Sequence, residues 1–243
     1  MSEIIHFDPR HTLMVAHRGL SSRKMENTVP AFQLAGRHPF YAGIETDIHR
    51  TRDGKFIVIH DDDTLRVTGE KHIVEESTFA GLRAMSLLDF HPETNENDGT
   101  LRMPSLQEYL EVCREFGKTS VLEIKNHMES EDLEAIVSQV MAQGMLDQTI
   151  FISFDLPNLV ALRMRLPEQP IQLLVEEDCA SLISDLSTYG LDLDIDYRSL
   201  TEKRLSQLHN AGIKVNVWTV DDPREAQTLV DWGVDYITTN MLF

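Results

Sequence analysis

The sequence predicts an α/β protein: a distorted eight-stranded (β/α)8 TIM barrel carrying a projecting β-hairpin and a small inserted subdomain. Three observations predict it. Short apolar runs alternate with helical patterns along most of the chain, the signature of βα units and a parallel sheet. Two of the runs lie too close together for a parallel crossover. Ionisable residues replace core residues at the same end of several runs, where barrels of this kind carry their active sites.

The apolar runs are Leu13–His17, Gly43–Ile48, Phe56–His60, Ser120–Lys125, Thr149–Phe154, Ile171–Val175, Leu191–Tyr197, Ile213–Val220 and Asp235–Thr239. That is one strand more than a closed eight-stranded barrel needs. Only Arg50–Lys55 separates the second run from the third, and Asp53-Gly54 is a hairpin-turn dipeptide. Phe56–His60 is therefore expected to fold back antiparallel on the second strand, which returns His60 to the neighbourhood of Asp47. An open doubly wound sheet is the alternative.

Helix signals fill the gaps. Thr28 caps a segment with Val29, Phe32 and Ala35 or Gly36 on one face. Ser105 opens SLQEYLEVCREFG. Ser130 opens a run with Leu133, Ile136, Val137, Val140 and Met141 at helical spacing, closed by Gly144. Ser199 with Glu202, and Asp222-Pro-Arg-Glu225, read as capping boxes. Residues 91–100, HPETNENDGT, read as an exposed, mobile loop. One domain over 1–243 is expected, with an insertion at about 61–102.

Composition narrows the function classes. The net charge is −18 and no dense Lys/Arg block appears, which argues against nucleic acid and against an anionic membrane as partners. A few local cations still suffice for one small anion. Cys113 and Cys179 are too few for a disulfide framework or a thiolate metal site. The first residues show no charged-then-apolar leader, and no apolar run approaches a membrane span. A soluble cytoplasmic protein is expected, and nothing in the sequence requires an oligomer.

The strand ends carry the chemistry. Leu13, Val15 and His17 share a face, so His17 takes the next core position, and Arg18-Gly19 follow it. Glu45 and Asp47 share a face at i and i+2, as do Glu123 and Lys125 in VLEIK. Glu45 and Asp47 alone fit half of an ion-pair network equally well, and Glu123 and Lys125 alone fit a simple pair. Together, three carboxylates on adjacent strands form an oxygen-rich set suited to Mg²⁺ or Ca²⁺ rather than zinc. His17 and His60 beside it supply an acid and a base near neutral pH. Arg18 and Lys125 can neutralise a phosphate. Trp218 ends a strand and either walls the pocket or packs its rim. His49 is expected above the barrel mouth and exposed; His6, His11, His38, His72, His91, His127 and His209 are expected in solvent.

The stretches AHRGLSSRKMENTVPAF, GIETDIHRTRDGKFIVIHDDDTL, MPSLQEYLEV, VLEIK, VWTVDD and GVDYITTN resemble, in order and spacing, the glycerophosphodiester phosphodiesterases. The likeness runs from about Leu13 to Asn240. It implies a distorted TIM barrel with one divalent cation, Mg²⁺ or Ca²⁺ with Mn²⁺ also fitting. The substrate it implies is a glycerophosphodiester, cleaved to sn-glycerol 3-phosphate and an alcohol such as choline or ethanolamine. Matched onto the motifs, His17 and His60 form the acid/base pair, and Glu45, Asp47 and Glu123 bind the metal. Arg18 and Lys125 contact phosphate, Glu26-Asn-Thr28 shapes the first loop, and Trp218 lines the pocket. Two departures stand out: Arg66-Val67-Thr68 replaces the usual Arg-Thr-Thr, and Thr239-Asn240-Met241 replaces the closing Thr-Asp-x-Pro. Both are expected at the pocket rim, away from the ligands and catalytic residues. The competing readings are a barrel phosphodiesterase acting on intact phospholipids, a catalytically dead binding module for glycerophosphodiesters, and a barrel lyase or isomerase using one carboxylate-bound metal.

Overall fold

The computed structural model describes residues 7–90 and 101–242. Eight parallel strands close into a barrel: β1 (Leu13–Ala16), β2 (Tyr41–Arg50), β4 (Thr119–Ile124), β5 (Thr149–Ser153), β6 (Ile171–Val175), β7 (Asp192–Asp196), β8 (Val215–Trp218) and β9 (Tyr236–Thr239). Around the ring the order is β1-β9-β8-β7-β6-β5-β4-β2, and β1 pairs with β2 to close it. β3 (Phe56–Val58) is the ninth strand and runs antiparallel on β2, with Ile48 opposite Val58 and Arg50 opposite Phe56. The expected hairpin is therefore present. Gly54 takes φ +71° in its turn, and Thr51 closes the loop through hydrogen bonds with Lys55.

β2 is the longest strand because it serves three partners. One edge pairs with β4 over Gly43–Ile48. The other pairs first with β1 over Tyr41–Ile44 and then, above β1, with β3 over Ile48–Arg50. Alternation decides where each side chain goes. Ile44 and Ile48 point out into the apolar layer beneath the helices, whose members include Phe32, Leu110 and Leu133. Glu45 and Asp47 point into the barrel, where Val15, Val121, Ile150, Ile152 and Leu174 form a small apolar cluster.

The outer helices are α1 (Val29–Arg37), α4 (Leu106–Phe116), α5 (Ser130–Ala142), α6 (Leu156–Arg165), α7 (Leu182–Tyr189), α8 (Glu202–Asn210) and α9 (Pro223–Trp232). Three of these seven are capped by the residues that the sequence marks. Thr28 accepts from Ala31 N, Ser105 and Glu108 close a full capping box, and Asp222 accepts from Arg224 N and Glu225 N. Three details differ from expectation. The cap of α8 is Thr201 rather than Ser199, because Ser199 is spent in a single 3₁₀ turn where its hydroxyl donates to the Glu176 carbonyl. Met141 is exposed at the end of α5, as the drift of 3.6 residues per turn carries it off the buried face. His38 is half-buried beside Phe40 and Tyr41.

Between β3 and α4 lie two short helices, α2 (Leu65–Thr68) and α3 (Phe79–Ala84). Their apolar residues form a second core with Met25, Ile57, Ile59, Val67, Leu82 and Met103. The expected loop at 91–100 lies outside the described residues, as do His6 and His91. Among the described residues no helix is long and apolar enough to cross a membrane.

The turn after β1 depends on one glycine. Arg18 and Gly19 both take left-handed backbone, at φ 55° and 77°. A Cβ on Gly19 would stand 2.7 Å from the Ala31 carbonyl carbon of α1. Gly19→Ala is therefore expected to lose at least about 2 kcal/mol, from left-handed strain plus a backbone clash. Urea unfolding checks it, and an unchanged midpoint would contradict the packing described.

Candidate functional site

The C-terminal ends of β1, β2 and β4, together with the residue following β3, bring the predicted side chains together. Asp47 and Glu123 are cross-strand partners in the β2–β4 register. Glu45 sits two residues earlier on the same inward face. One oxygen from each of the three carboxylates lies within 4.8 Å of the others, and all three residues are buried. A hard cation with bonds of about 2.1–2.5 Å reaches such a set. His17 follows β1 directly, its backbone N–H donating to the Thr239 carbonyl at 2.8 Å. His60 follows β3, and Ile59 N donates to the Asp47 carbonyl at 3.1 Å, which returns His60 to Asp47 as the hairpin predicts.

Asp47 is the centre of the charge balance. Its Oδ2 accepts from Asn27 Nδ2 at 2.8 Å and lies 3.5 Å from Arg18 Nε; its Oδ1 lies 3.8 Å from Lys125 Nζ. Burial would raise its pKa, yet the Arg18 charge, with help from His60 and Lys125, holds it well below the carboxylate range. Its two neighbours go the other way. Burial and the Asp47 charge push Glu45 well up, against the Arg18 backbone N–H that donates to it at 2.8 Å. Burial and Asp47 raise Glu123 to about 7, although Lys125 Nζ stands 2.8 Å from its Oε1. The three carboxylates thus differ in direction: the cations around Asp47 favour its ionised form, and burial beside Asp47 favours the neutral form of both glutamates. Asp47 Oδ1 has no hydrogen-bond partner. A buried carboxylate oxygen left bare between two glutamates fits a cation-binding position.

Both imidazoles are held by Nδ1. His17 Nδ1 meets Asn240 Oδ1 at 2.8 Å, and burial followed by the Arg18 charge pushes its pKa down to about 4. His60 Nδ1 meets Asp61 Oδ1 at 2.7 Å, and burial also lowers its pKa, against the pull of Asp47. Asp61 is itself gripped by Arg66 of α2, whose hydrogen bonds draw the Asp61 pKa down to about 2. Arg66 also binds Glu26, which in turn binds Arg18. The inserted segment thereby reaches the imidazole through two ion pairs.

These residues wall one side of a cavity of about 330 Å³, the size of a small-ligand site. Lys125 lines it beside Glu123. Trp218 lines the opposite wall, edge-on to Phe154 at 5.9 Å between ring centroids, with its Nε1 buried and unpartnered. All eight predicted site residues except the innermost, Asp47, line this cavity, and Asp47 forms ion pairs with two of those that do, Arg18 and Lys125.

Asp194 escaped the sequence reading, and Asn27, expected only to shape the first loop, has a more specific role. Asn27 bridges Asp47 and Thr46, from a left-handed backbone at φ 53°. Asp194 on β7 lines the floor of the cavity, its Oδ2 accepting from Asn216; burial, with Glu123 nearby, raises its pKa well above the usual range. The alternation Asp192-Leu-Asp194-Ile-Asp196 carried the same signal as Glu45-Thr-Asp47 and identifies Asp194 in retrospect. Asn240 corrects the expectation that neither departure touches a catalytic candidate, since it hydrogen-bonds His17 directly. His49 is a second correction: it is fully buried, not exposed. The chain after β3 crosses over it, so that its Nε2 meets the His60 carbonyl at 3.2 Å and Glu75 approaches its Nδ1 at 3.5 Å.

Residues 17–242 match the glycerophosphoryl diester phosphodiesterase family. The chain is 28% identical to the glycerophosphodiester phosphodiesterase of Bacillus subtilis over 96% of its own length and 84% of the relative's. It is 27% identical to that of Caldanaerobacter subterraneus, over 94% of each. Among solved structures it resembles a phosphodiesterase from Oleispira antarctica in complex with the product sn-glycerol-3-phosphate, with TM-score 0.86 and 25% identity over 94% and 92% of the two chains. A glycerophosphodiester phosphodiesterase from Parabacteroides distasonis matches with TM-score 0.79 and 26% identity over 95% and 93%.

The carboxylate balance has a measurable sign. A carboxyl whose pKa is raised on folding contributes stability that is complete below its ordinary range and lost as pH climbs through the raised value. The buried histidines, with lowered pKa, act in the opposite sense, so Glu123→Gln serves as the reference that retains them. In EDTA, the melting temperature of the wild type relative to Glu123→Gln is expected to fall as pH rises from about 5 through 7, the range between the ordinary and raised values. A pH-independent difference would show that Glu123 carries no extra proton.

Proposed function

Because the chain belongs to the glycerophosphoryl diester phosphodiesterase family, a family of phosphoric diester hydrolases, we propose that it cleaves glycerophosphodiesters such as glycerophosphocholine or glycerophosphoethanolamine to sn-glycerol 3-phosphate and the free alcohol. The observation that carries this is the convergence of three carboxylates within 4.8 Å with two Nδ1-anchored imidazoles on one cavity. Glu45, Asp47 and Glu123 would hold one divalent cation, Mg²⁺, Ca²⁺ or Mn²⁺. When bound, that cation supplies Lewis-acid neutralisation of charge beside the phosphate.

The protein's own groups do the rest. Arg18 and Lys125 are fixed cations at the mouth, each already paired with Asp47, and they hold the phosphate against the acidic cluster. One histidine removes the proton of the glycerol hydroxyl adjacent to the ester. That oxygen attacks phosphorus, and the bond from phosphorus to the leaving alcohol breaks as the second histidine protonates it. Water then opens the resulting cyclic phosphate with the two proton roles exchanged. Trp218 and Phe154 supply the apolar wall that excludes bulk water from the opposite side.

Release of sn-glycerol 3-phosphate from the two substrates tests the reaction. It is expected to stop in EDTA and to return with Mg²⁺, Ca²⁺ or Mn²⁺. His17→Ala and His60→Ala are each expected to lower kcat by about 10²–10⁴-fold while keeping the wild-type circular dichroism spectrum. Near-full turnover by either variant would remove that histidine from the mechanism, and turnover indifferent to chelation would remove the cation.

A further inference from the structure

We propose that Asn240, oriented by Asp221, is a positioning residue that fixes His17 in the Nδ1–H tautomer, so that His17 enters the first step as the base through Nε2. This rests on the reaction assigned above, but it is argued from a hydrogen-bond chain that the reaction does not require.

The chain starts at Asp221. Its Oδ1 accepts from the Asn240 backbone N–H at 2.8 Å and from Thr239 Oγ1 at 2.9 Å, and its Oδ2 accepts from Asn240 Nδ2 at 2.7 Å. A carboxylate only accepts, so the amide must turn its NH2 toward Asp221. Its oxygen is thereby turned the other way, toward Ser21 Oγ and His17 Nδ1, both at 2.8 Å. A flipped amide would set oxygen against carboxylate at Asp221 and NH2 against Nδ1–H at His17, an acceptor pair and a donor pair with no hydrogen bond in either. An amide oxygen carries no proton, so the contact to Nδ1 is a hydrogen bond only if Nδ1 bears the hydrogen. In the neutral ring Nε2 then keeps its lone pair.

That lone pair lies on the cavity side. Nε2 stands 4.0 Å from Glu45 Oε2, beyond hydrogen-bond range, and His17 lines the cavity. The His17 backbone N–H is tied to the Thr239 carbonyl one residue before Asn240, which sets the two residues side by side. His60 is anchored by the same nitrogen but to a carboxylate, Asp61. Only at His17 is the acceptor a neutral amide, whose direction a further residue must set.

The tautomer is read directly by imidazole ¹⁵N NMR on cation-free protein at about pH 8, above the ordinary histidine range. The His17 signals are identified by their absence in His17→Gln. The wild type is expected to show a protonated Nδ1 and a bare Nε2 at His17. Asn240→Ala is expected to move the proton to Nε2 and to lower kcat about 10–100-fold, with KM for glycerophosphocholine changed less than about 2-fold. The exchange Asp221→Asn with Asn240→Asp again places an acceptor opposite Nδ1 and a donor behind it. It is expected to restore both the tautomer and most of kcat, which loss of packing alone would not predict, and it covers the case in which Asn240→Ala fails to fold. A His17 ring protonated on Nε2 in the wild type would overturn the proposal. So would wild-type kcat in Asn240→Ala, or an exchange variant that folds without recovering the tautomer. Wild-type protein inert toward glycerophosphodiesters would instead overturn the reaction, and the ring tautomer would still decide this inference.

Discussion

The structure turns on one buried charge. Asp47 is fully buried, and an isolated carboxylate in such a place would cost several kcal/mol. It stays ionised because Arg18, Lys125 and Asn27 surround it, and each of those is placed by a different piece of backbone. Arg18 arrives on the left-handed turn after β1, Asn27 on the left-handed residue before α1, and Lys125 at the end of β4. Removing any one leaves a buried charge without its partner, which is costlier than never having buried the pair. The barrel mouth is therefore rigid for electrostatic reasons as well as steric ones.

The projecting hairpin and the two short helices extend this logic to His60. A regular βα unit would carry the chain from β2 directly into an outer helix. Here it doubles back along β2, covers His49, and delivers His60 at the height of Asp47. Arg66 then joins two carboxylates, Asp61 behind His60 and Glu26 behind Arg18. The two imidazoles are thus supported from opposite sides of the mouth, one by the inserted segment and the other by the turn after β9. Both supports act on Nδ1.

How much of this was legible depended on the range of the interaction. Alternation at i and i+2 is local, so Glu45, Asp47 and Glu123 could be read from the sequence, as could the hairpin from six residues and an Asp-Gly turn. Most helix caps are equally local. The supports of the histidines are not: Asn240 lies 223 positions from His17. No pattern along the chain marks that distance, and only the closure of β1 against β9 creates the contact. His49 failed for a related reason, since the same-face rule places it correctly but says nothing of the segment that later covers it. Asp194 is different again. Its alternation was visible, and what hid it was its position on a strand opposite the one already singled out.

The net charge of −18 bears on how such a site meets an anion. A phosphate approaching such a protein meets net repulsion, offset at the mouth by Arg18 and Lys125. Screening decides the balance. At physiological ionic strength the Debye length is about 8 Å, so acidic residues on the outer helices contribute little at the cavity. Arg18 and Lys125 act at hydrogen-bond range from a partly dehydrated wall, where Coulomb energies are several-fold larger than in water. Both are held by Asp47, which cancels part of their charge. A divalent cation held by the three carboxylates would reverse that cancellation, by taking over the negative oxygens and leaving the guanidinium and ammonium groups to a phosphate. The acidic cluster and the two basic residues are therefore one electrostatic unit: Arg18 and Lys125 offset Asp47, and a divalent cation on the carboxylates, as proposed, would free both basic groups for a phosphate in the cavity.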